Sequence, residues 1–203
     1  MNKTYFITGI GTGIGKTIVS AILTEKLQAD YWKPIQSGDL DNSDSLLVAR
    51  LISNQKTVIH PEQFKLSQPL SPHLSARIDG IHIEAAAIKA PATTNNLVIE
   101  GAGGLMVPIN EEELILDLIK SLSAKVIVVS QNYLGSINHT LLTLEVLKSR
   151  KIEVEGLIFN GAANEESERY ISTYSGIPIL GRIPQLDNLD KESVQKAGAH
   201  LLF

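Results

Sequence analysis

The chain has 203 residues, of which 43% are hydrophobic, and its 18 basic and 22 acidic residues give a net charge of -4. This composition predicts a single domain over residues 1–203, and the dispersed charge gives no basic patch for nucleic acid or an anionic membrane. No apolar run approaches the roughly 18 residues of a spanning helix, so a cytoplasmic location is expected. Zero cysteines exclude disulfides, thiolate metal ligands and a cysteine nucleophile.

Apolar runs of strand length alternate along the chain with amphipathic segments of helix length. Strands are predicted at 5–8, 30–33, 97–100, 126–130, 154–160 and 177–180, and helices at 17–27, 44–52, 113–122, 137–148 and 166–174. Most of the strands are continuously hydrophobic, which is typical of buried parallel strands. The order predicts an α/β fold with a single doubly wound, mostly parallel sheet and helices on both faces. Residues 54–80 show little periodicity and are predicted as a long surface excursion.

A glycine-rich segment, Gly9 to Thr17, follows the first predicted strand and opens the first predicted helix. This context favours a P-loop over an ordinary turn, because backbone N–H groups and a helix N-terminus together cradle a triphosphate. Lys16 is predicted to reach the β- and γ-phosphates, and the Thr17 hydroxyl to ligate magnesium. Five residues rather than four separate Gly9 from Gly15, and Ile10 occupies the place of the usual first glycine.

Polar side chains follow the next predicted strands, at the edge where ligands of open parallel sheets bind. Lys33 ends the second strand and Ser37 follows it, and Glu100 ends the third, just before the small residues Gly101 to Gly104. A turn role for Ser37 and a solvated Lys33 remain open, as does a helix-capping role for Asp44. A carboxylate that closes an apolar strand beside a P-loop favours a bound cation. Hard oxygen ligands for magnesium would come from Thr17, Asp44 and Glu100.

Seven segments, spread in order over nearly the whole chain, resemble the dethiobiotin synthetase family. They are Gly9 to Thr17, Lys33 to Gly38, Asn42 to Asp44, Ser71 to His73, Val98 to Gly104, Gly135 to His139 and Gly181 to Pro184. The P-loop alone is shared by many ATPases. The lysine segment, the segment around Glu100 and the segment from Gly135 are specific when taken together.

The resemblance implies a P-loop NTPase that closes the cyclic urea of dethiobiotin on 7,8-diaminopelargonate. Carbon dioxide adds to one substrate amine as a carbamate, whose oxygen attacks the γ-phosphate of ATP. The second amine then closes the ring from the carbamic-phosphoric anhydride as phosphate leaves. ATP is thus a co-substrate and Mg²⁺ the cofactor, and such chemistry depends on positioning and charge neutralisation.

The resemblance also assigns roles to residues of this chain. Lys33, Lys16 and Thr12 would be catalytic, and Ser37 would orient the diamine. In a homodimer, Asn138 and Tyr170 would contact the substrate carboxylate of the neighbouring subunit. Magnesium would be bound by Thr17, Asp44 and Glu100. The nucleotide would be bound by Gly13, Ile14, Gly15, Lys16, Thr17, Asp44, Glu100, Gly101, Ala102, Gly103, Asn160, Gly161, Pro184, Gln185 and Leu186.

The sequence departs from the family pattern at two positions near the expected nucleotide. Many members have an acidic residue where this chain has Gly13, and another where it has Gly161. The main alternative function is a partition-type ATPase switch, but the signature lysine of that class would fall at Gly11. A cobyrinic-acid type amidotransferase would need a cysteine, and a GTPase would need an Asn-Lys-x-Asp motif, which the sequence lacks.

Overall fold

In the computed structural model, which describes residues 2–203, strands and helices alternate along the chain. The strands are β1 Thr4–Gly9, β2 Asp30–Trp32, β3 Ile35–Ser37, β4 Ile59–His60, β5 Phe64–Leu66, β6 Leu97–Glu100, β7 Lys125–Ser130, β8 Val154–Asn160 and β9 Ile179–Ile183. The helices are α1 Lys16–Leu27, α2 Asp44–Leu51, α3 Pro72–Ile78, α4 Ile115–Leu122, α5 Ser136–Ser149, α6 Glu165–Ser175 and α7 Lys191–Gly198. No helix within residues 2–203 is both long and apolar enough to cross a bilayer.

Seven strands form one sheet in the order β4-β2-β6-β1-β7-β8-β9, and every neighbouring pair is parallel. The strand β1 lies near the middle, and the chain builds the sheet first to one side of it and then to the other. This arrangement confirms the predicted doubly wound α/β fold. The loop after β1 therefore lies at the point where the strand order reverses, which is where ligands bind in such sheets.

Each face of the sheet is buried against its own group of helices. Alternate side chains of β1 point to opposite faces, so Phe6 packs on one side while Tyr5 and Ile7 pack on the other. Helices α1, α2 and α7 cover the side of Ile7, and α3 to α6 cover the side of Phe6. Burial of one such side chain stabilises the folded state by about 1.5 to 3 kcal/mol, so both layers of helices help to fix the ends of the strands in place.

The predicted surface excursion at residues 54–80 contains regular structure that the sequence pattern did not indicate. The strand β4 extends the main sheet beside β2, β5 pairs with β3 in a separate two-stranded sheet, and α3 follows. Strands of two or three residues are too short to show a period, so this part of the prediction was wrong. Trp32 is buried beneath the excursion, and its Nε1 donates to the Pro61 carbonyl at 3.1 Å.

Several element boundaries differ from the prediction by a few residues. The last strand runs over Ile179–Ile183 rather than 177–180, and α4 begins at Ile115 rather than at 113. Leu114 is extended and forms an antiparallel bridge with Pro108, which keeps the preceding residues out of the helix. The C-terminal helix α7 was not predicted, although Val194 and Ala197 pack on the sheet.

Candidate active site

The glycine-rich segment after β1 forms a tight loop that ends at the first residue of α1. Gly15 precedes the helix with a φ of +89°, a left-handed conformation that glycine adopts without strain. A methyl group at Gly15 would overlap the side-chain amide of Asn160, which donates to the Ile14 carbonyl at 3.0 Å. Asn160, at the end of β8, thus fixes the position of the loop, and the first backbone N–H groups of α1 point into it.

Lys16 is buried at the base of this loop, and its Nζ donates to the Gly11 carbonyl at 2.9 Å. Burial is the main reason that the pKa of Lys16 falls to about 8; Glu100 and Asp44 oppose the fall, and the nearby charge of Lys33 contributes to it. The ammonium is therefore poorly compensated within the protein, and a group that brings negative charge to the loop would stabilise it.

We expect nucleotide binding to be coupled to proton uptake by Lys16 at mildly alkaline pH. With a pKa of about 8, Lys16 is mostly neutral at about pH 8.5, and phosphate oxygens would raise that pKa, so roughly 0.7 proton should be taken up per site. Calorimetric titration with Mg-ADP in two buffers of different protonation enthalpy measures this uptake. Lys16→Arg, which stays charged, should abolish it, and equal heats in the two buffers for the unsubstituted protein would contradict the expectation.

Four side chains meet beside the loop, three from α1, α2 and β6 and one, Lys33, from the connection after β2. The Thr17 hydroxyl lies 2.9 Å from Asp44 Oδ1 and 2.9 Å from Glu100 Oε1. Lys33 Nζ lies 2.7 Å from Asp44 Oδ2 and 3.1 Å from Glu100 Oε1. Glu100 is 1% exposed and Lys33 4%, so this is a buried charge cluster rather than a surface ion pair.

The charges of this cluster stabilise one another against the cost of burial. Burial opposes the charged form of Lys33, but Glu100 and Asp44 outweigh it and raise the pKa of Lys33 above its usual value. Burial likewise opposes the ionised form of Asp44, and the ammonium of Lys33 outweighs it and lowers the pKa of Asp44. Lys33 therefore carries its charge throughout the physiological pH range.

The oxygen atoms of the cluster suit a magnesium ion. The Thr17 hydroxyl lies within hydrogen-bond distance of both the Asp44 and the Glu100 carboxylate, and Mg²⁺ prefers such hard oxygen ligands together with water and phosphate oxygens. A cationic group, the ammonium of Lys33, already lies against both carboxylates. This donor set fits the predicted metal.

A cavity of about 430 Å³ opens beside the cluster, and we call it the central cavity. Lys33, Asp44, Thr12, Ser37 and Gly103 line it, together with the loop from Pro69 to Pro72. The Ser37 hydroxyl is shielded from solvent and has no hydrogen-bond partner within residues 2–203. A buried hydroxyl without a partner is costly in a folded protein, so a small movement that let Ser37 bond a ligand in the central cavity would remove that cost.

The small residues after β6 let the backbone approach the P-loop. The Gly101 N–H donates to the Ile7 carbonyl of β1 at 3.0 Å, and Gly104 lies against the backbone of Gly9 and Gly11. Gly103 has a φ of +67° and lines the central cavity. A side chain at Gly101 would collide with Phe6, which explains why glycine is needed there.

The residues predicted to surround the nucleotide base lie at the ends of β8 and β9. Asn160 contacts the P-loop backbone as described, and the Gly161 N–H donates to the Ile183 carbonyl at 2.8 Å. Pro184 and Gln185 are exposed, whereas Leu186 packs partly against the core on the α1 side. Gly161 has a φ of +98°, and a methyl group there would point towards Gln131.

Asn138 and Tyr170 lie apart from the central cavity. They line a second cavity of about 770 Å³, which we call the lateral cavity, between the N-terminal end of α5 and α6. Neither residue lines the central cavity, so one chain does not bring them together with Lys33 and Ser37. Both side chains are exposed and available to another molecule.

Two residues of the site were missed in the sequence. The Tyr31 hydroxyl donates to Glu100 Oε2 at 2.9 Å, and Gln36 Oε1 accepts from the Asp44 backbone N–H at 3.3 Å. In the sequence, Tyr31 is indistinguishable from an ordinary buried strand residue. Its spacing from Lys33 could have indicated that Tyr31 belongs to the site, because residues two apart on an extended chain point to the same side.

Sequence comparisons place this arrangement among known proteins. A family model described as "AAA domain" matches residues 3–193. An ATP-dependent dethiobiotin synthetase of Christiangramia forsetii is 53% identical over 97% of this chain and 94% of that protein. The enzyme of the same name from Cytophaga hutchinsonii is 51% identical over 95% of this chain and 93% of that protein.

Solved structures of similar shape are far more distant in sequence. The septum site-determining protein MinD of Pyrococcus horikoshii, complexed with Mg-ADP, has a TM-score of 0.63 at 15% identity, covering 97% of this chain and 86% of that chain. A ParA family ATPase of Chlorobium tepidum has a TM-score of 0.57 at 14% identity, covering 99% of this chain and 100% of that chain. These two relatives share the fold.

Proposed function

The chain belongs to the ATP-dependent dethiobiotin synthetase family, and on that premise we propose that it closes the ureido ring of dethiobiotin from 7,8-diaminopelargonate and carbon dioxide, with ATP as co-substrate. The observation that carries the proposal is the charge cluster beside the P-loop, in which buried Lys33 and Glu100 meet half-buried Asp44, and from which Lys33 and Asp44 line the central cavity. The cluster supplies fixed charge where a phosphoryl group would be transferred. The cavity supplies room for a small substrate next to it.

We assign the steps of the reaction to this chain's own groups. One amine of the substrate adds carbon dioxide and loses a proton, which gives a carbamate that the ammonium of Lys33 can hold by charge. The carbamate oxygen attacks the γ-phosphorus, and ADP leaves while Lys16 and the P-loop N–H groups bind the phosphate oxygens. The second amine then attacks the carbamate carbon, phosphate leaves and takes up the proton that this amine loses, and the ring closes. Ser37 would orient the diamine, and Thr12, which also lines the central cavity, would add a second hydroxyl.

Magnesium would be held by Thr17, Asp44 and Glu100. Bound there, it would neutralise charge on the phosphate oxygens of the nucleotide. Because Lys33 lies against the same two carboxylates, its ammonium and the metal ion would share them. The chemistry then requires little proton transfer by side chains and depends on how accurately the cluster is positioned.

The direct test is formation of product. Incubation with 7,8-diaminopelargonate, bicarbonate and Mg-ATP is expected to give dethiobiotin, detected by mass spectrometry, with one ADP released per ring closed. Omission of the diamine should suppress ADP release. A protein that hydrolyses ATP at the same rate with or without the diamine, and gives no dethiobiotin, would instead favour the partition-type ATPase switch.

The partition-type alternative has support from fold alone. The MinD and ParA relatives are 15% and 14% identical to this chain. The position of their class's signature lysine is Gly11, where a side chain would point into open space and where the backbone carbonyl accepts a hydrogen bond from Lys16. Lys33 and Ser37 would have no role in such a switch, which is why the synthetase reaction is the better account of the central cavity.

We also propose that the active site is completed by a second subunit of a homodimer. Asn138 and Tyr170 line the lateral cavity and not the central one, so a substrate held by Lys33 would need them from a neighbour. Leu134 is fully exposed beside them in the lateral cavity, and Leu142 and Met106, which line another cavity together, are more than half exposed. Clustered exposed apolar side chains are a property of surfaces that bind another protein.

Mixed dimers are expected to recover activity that neither parent has. A chain with Lys33→Ala and a chain with Asn138→Ala should each be impaired, but a heterodimer would contain one site with both residues intact. Random subunit exchange makes about half of the dimers heterodimers, and each of these has one intact site of two. About one quarter of the normal activity should therefore be restored. Steady-state dethiobiotin formation measures this after co-refolding of the two chains in equal amounts.

A matched mixture separates complementation from simple dilution. Lys33 and Ser37 both line the central cavity of a single chain, so in a mixture of Lys33→Ala and Ser37→Ala chains every site would lack one of them, and no recovery is expected. Activity in the Lys33→Ala and Asn138→Ala mixture that equals the mean of the two parents would contradict a shared site, as would a monomer by light scattering at assay concentration.

A further inference from the structure

The two oxygens of Glu100 have different partners. Oε1 faces the P-loop side, where it lies 2.9 Å from the Thr17 hydroxyl and 3.1 Å from Lys33 Nζ. Oε2 points away from that side and accepts a hydrogen bond from the Tyr31 hydroxyl at 2.9 Å. Glu100 is 1% exposed, so water does not compete for either oxygen. The orientation of the carboxylate is therefore set by Tyr31 on one side and by the cluster on the other.

Tyr31 is fixed by the sheet itself. It lies in β2 between β4 and β6, with its backbone paired to Val98, two residues before Glu100 on the neighbouring strand. Its side chain is fully buried in the core on the α1 side. Burial, together with the charge of Glu100, raises the pKa of Tyr31 well above its usual value, so the hydroxyl keeps its proton and remains a donor.

We propose that Tyr31 is a positioning residue for the magnesium site: its hydroxyl holds Glu100 Oε2, which leaves Oε1 directed at Thr17 and at the metal. The inference rests on the proposed function only in taking Glu100 as a metal ligand. Without the Tyr31 hydroxyl, Oε2 would be a buried acceptor with no donor, and the carboxylate would turn towards Lys33 or Thr17 to satisfy it. Partners that orient a metal ligand commonly change metal affinity or activity by about ten- to a hundredfold when removed.

The experiment measures metal binding directly. Tyr31→Phe keeps the ring and removes only the donor, and the dissociation constant of Mn²⁺ in the presence of ADP, read from the EPR signal of free Mn²⁺, is expected to rise about tenfold. In turnover, the Mg²⁺ concentration that gives half-maximal rate should rise by a similar factor, whereas the rate at saturating Mg²⁺ recovers most of its value. Tyr5→Phe is the matched control, because Tyr5 is also a buried tyrosine of the sheet, but its ring packs against Phe203 and the hydrogen bond to Glu100 Oε2 comes from Tyr31.

A double-variant cycle shows whether the effect passes through the carboxylate. In a Glu100→Gln background, Tyr31→Phe should no longer change Mn²⁺ affinity, whereas an unchanged tenfold effect would overturn the proposal. Tyr31→Met is a second variant without the donor, so the result does not depend on one chain folding well. Mn²⁺ affinity within about twofold of normal in either folded variant would also overturn it. Failure to form dethiobiotin would contradict the proposed function and leave the Mn²⁺ result standing.

Discussion

Replacing Lys33 with alanine is expected to lower the turnover number by about a hundredfold or more while leaving Mg-ADP binding close to normal. The reason is that a preorganised charge beside a transferring phosphoryl group acts mainly in the transition state. Lys33 is 4% exposed and held between Asp44 and Glu100, so its ammonium is already in place before any ligand binds. Single-turnover formation of dethiobiotin measures the chemical step, and calorimetry measures Mg-ADP binding.

The same variant tests how the cation and the metal share their carboxylates. Once the ammonium is removed, Asp44 and Glu100 lose a buried partner, so Mg²⁺ should bind at least as tightly as before. Lys148→Ala is the matched control, since Lys148 is an exposed lysine at the far end of α5 and should leave turnover unchanged. A Lys33→Ala turnover within about threefold of normal would remove Lys33 from the catalytic set.

Gly15→Ala is expected to destabilise the folded protein by about 3 kcal/mol or more and to abolish nucleotide binding. Two costs combine at this position. A non-glycine residue at a φ of +89° costs about 1 to 2 kcal/mol, and the added methyl group would also overlap the Asn160 amide. Relief of that overlap requires the P-loop to move away from β8. Urea unfolding measures the stability, and calorimetry measures the binding of Mg-ADP.

Two other glycines of the loop separate the conformational cost from the overlap. Gly13 has a φ of +73°, and a methyl group there would meet open space, so Gly13→Ala should lower the free energy of unfolding by about 1 to 2 kcal/mol. Gly11 also has open space but no positive φ, so Gly11→Ala should leave the stability nearly unchanged. Adding Asn160→Ala to Gly15→Ala should recover the part of the loss that comes from the overlap. Equal stabilities for Gly15→Ala and Gly11→Ala would contradict this account.

The fold was predictable wherever a segment was long enough to show its period. The buried strands β1, β6, β7 and β8 are continuous apolar runs, and their parallel order follows from the helices between them. The strands β4 and β5 have two and three residues, and their pairing depends on contacts distant in sequence. No local pattern encodes such contacts, so a region that helps to build the sheet edge was predicted as a surface excursion.

The site, like the fold, could be predicted from the sequence only in part. Lys16, Thr17 and Glu100 could be predicted because each ends or follows an apolar strand, and parallel strands deliver their ends to one edge. The role of Tyr31 depends on the register of β2 against β6, which only coordinates reveal. The separation of Asn138 from the central cavity likewise depends on where α5 packs. Motif order identifies the members of a site, but it does not determine which of them share a cavity.

The burial of Trp32 under the 54–80 region has a practical consequence. It is the single tryptophan of the chain, adjacent in sequence to Lys33, and its indole N–H is bonded to the Pro61 carbonyl. Intrinsic emission excited near 295 nm therefore arises from one fluorophore next to the reacting groups. Ligand titrations and stopped-flow traces can follow events at this edge of the sheet in the natural protein, without any extrinsic dye.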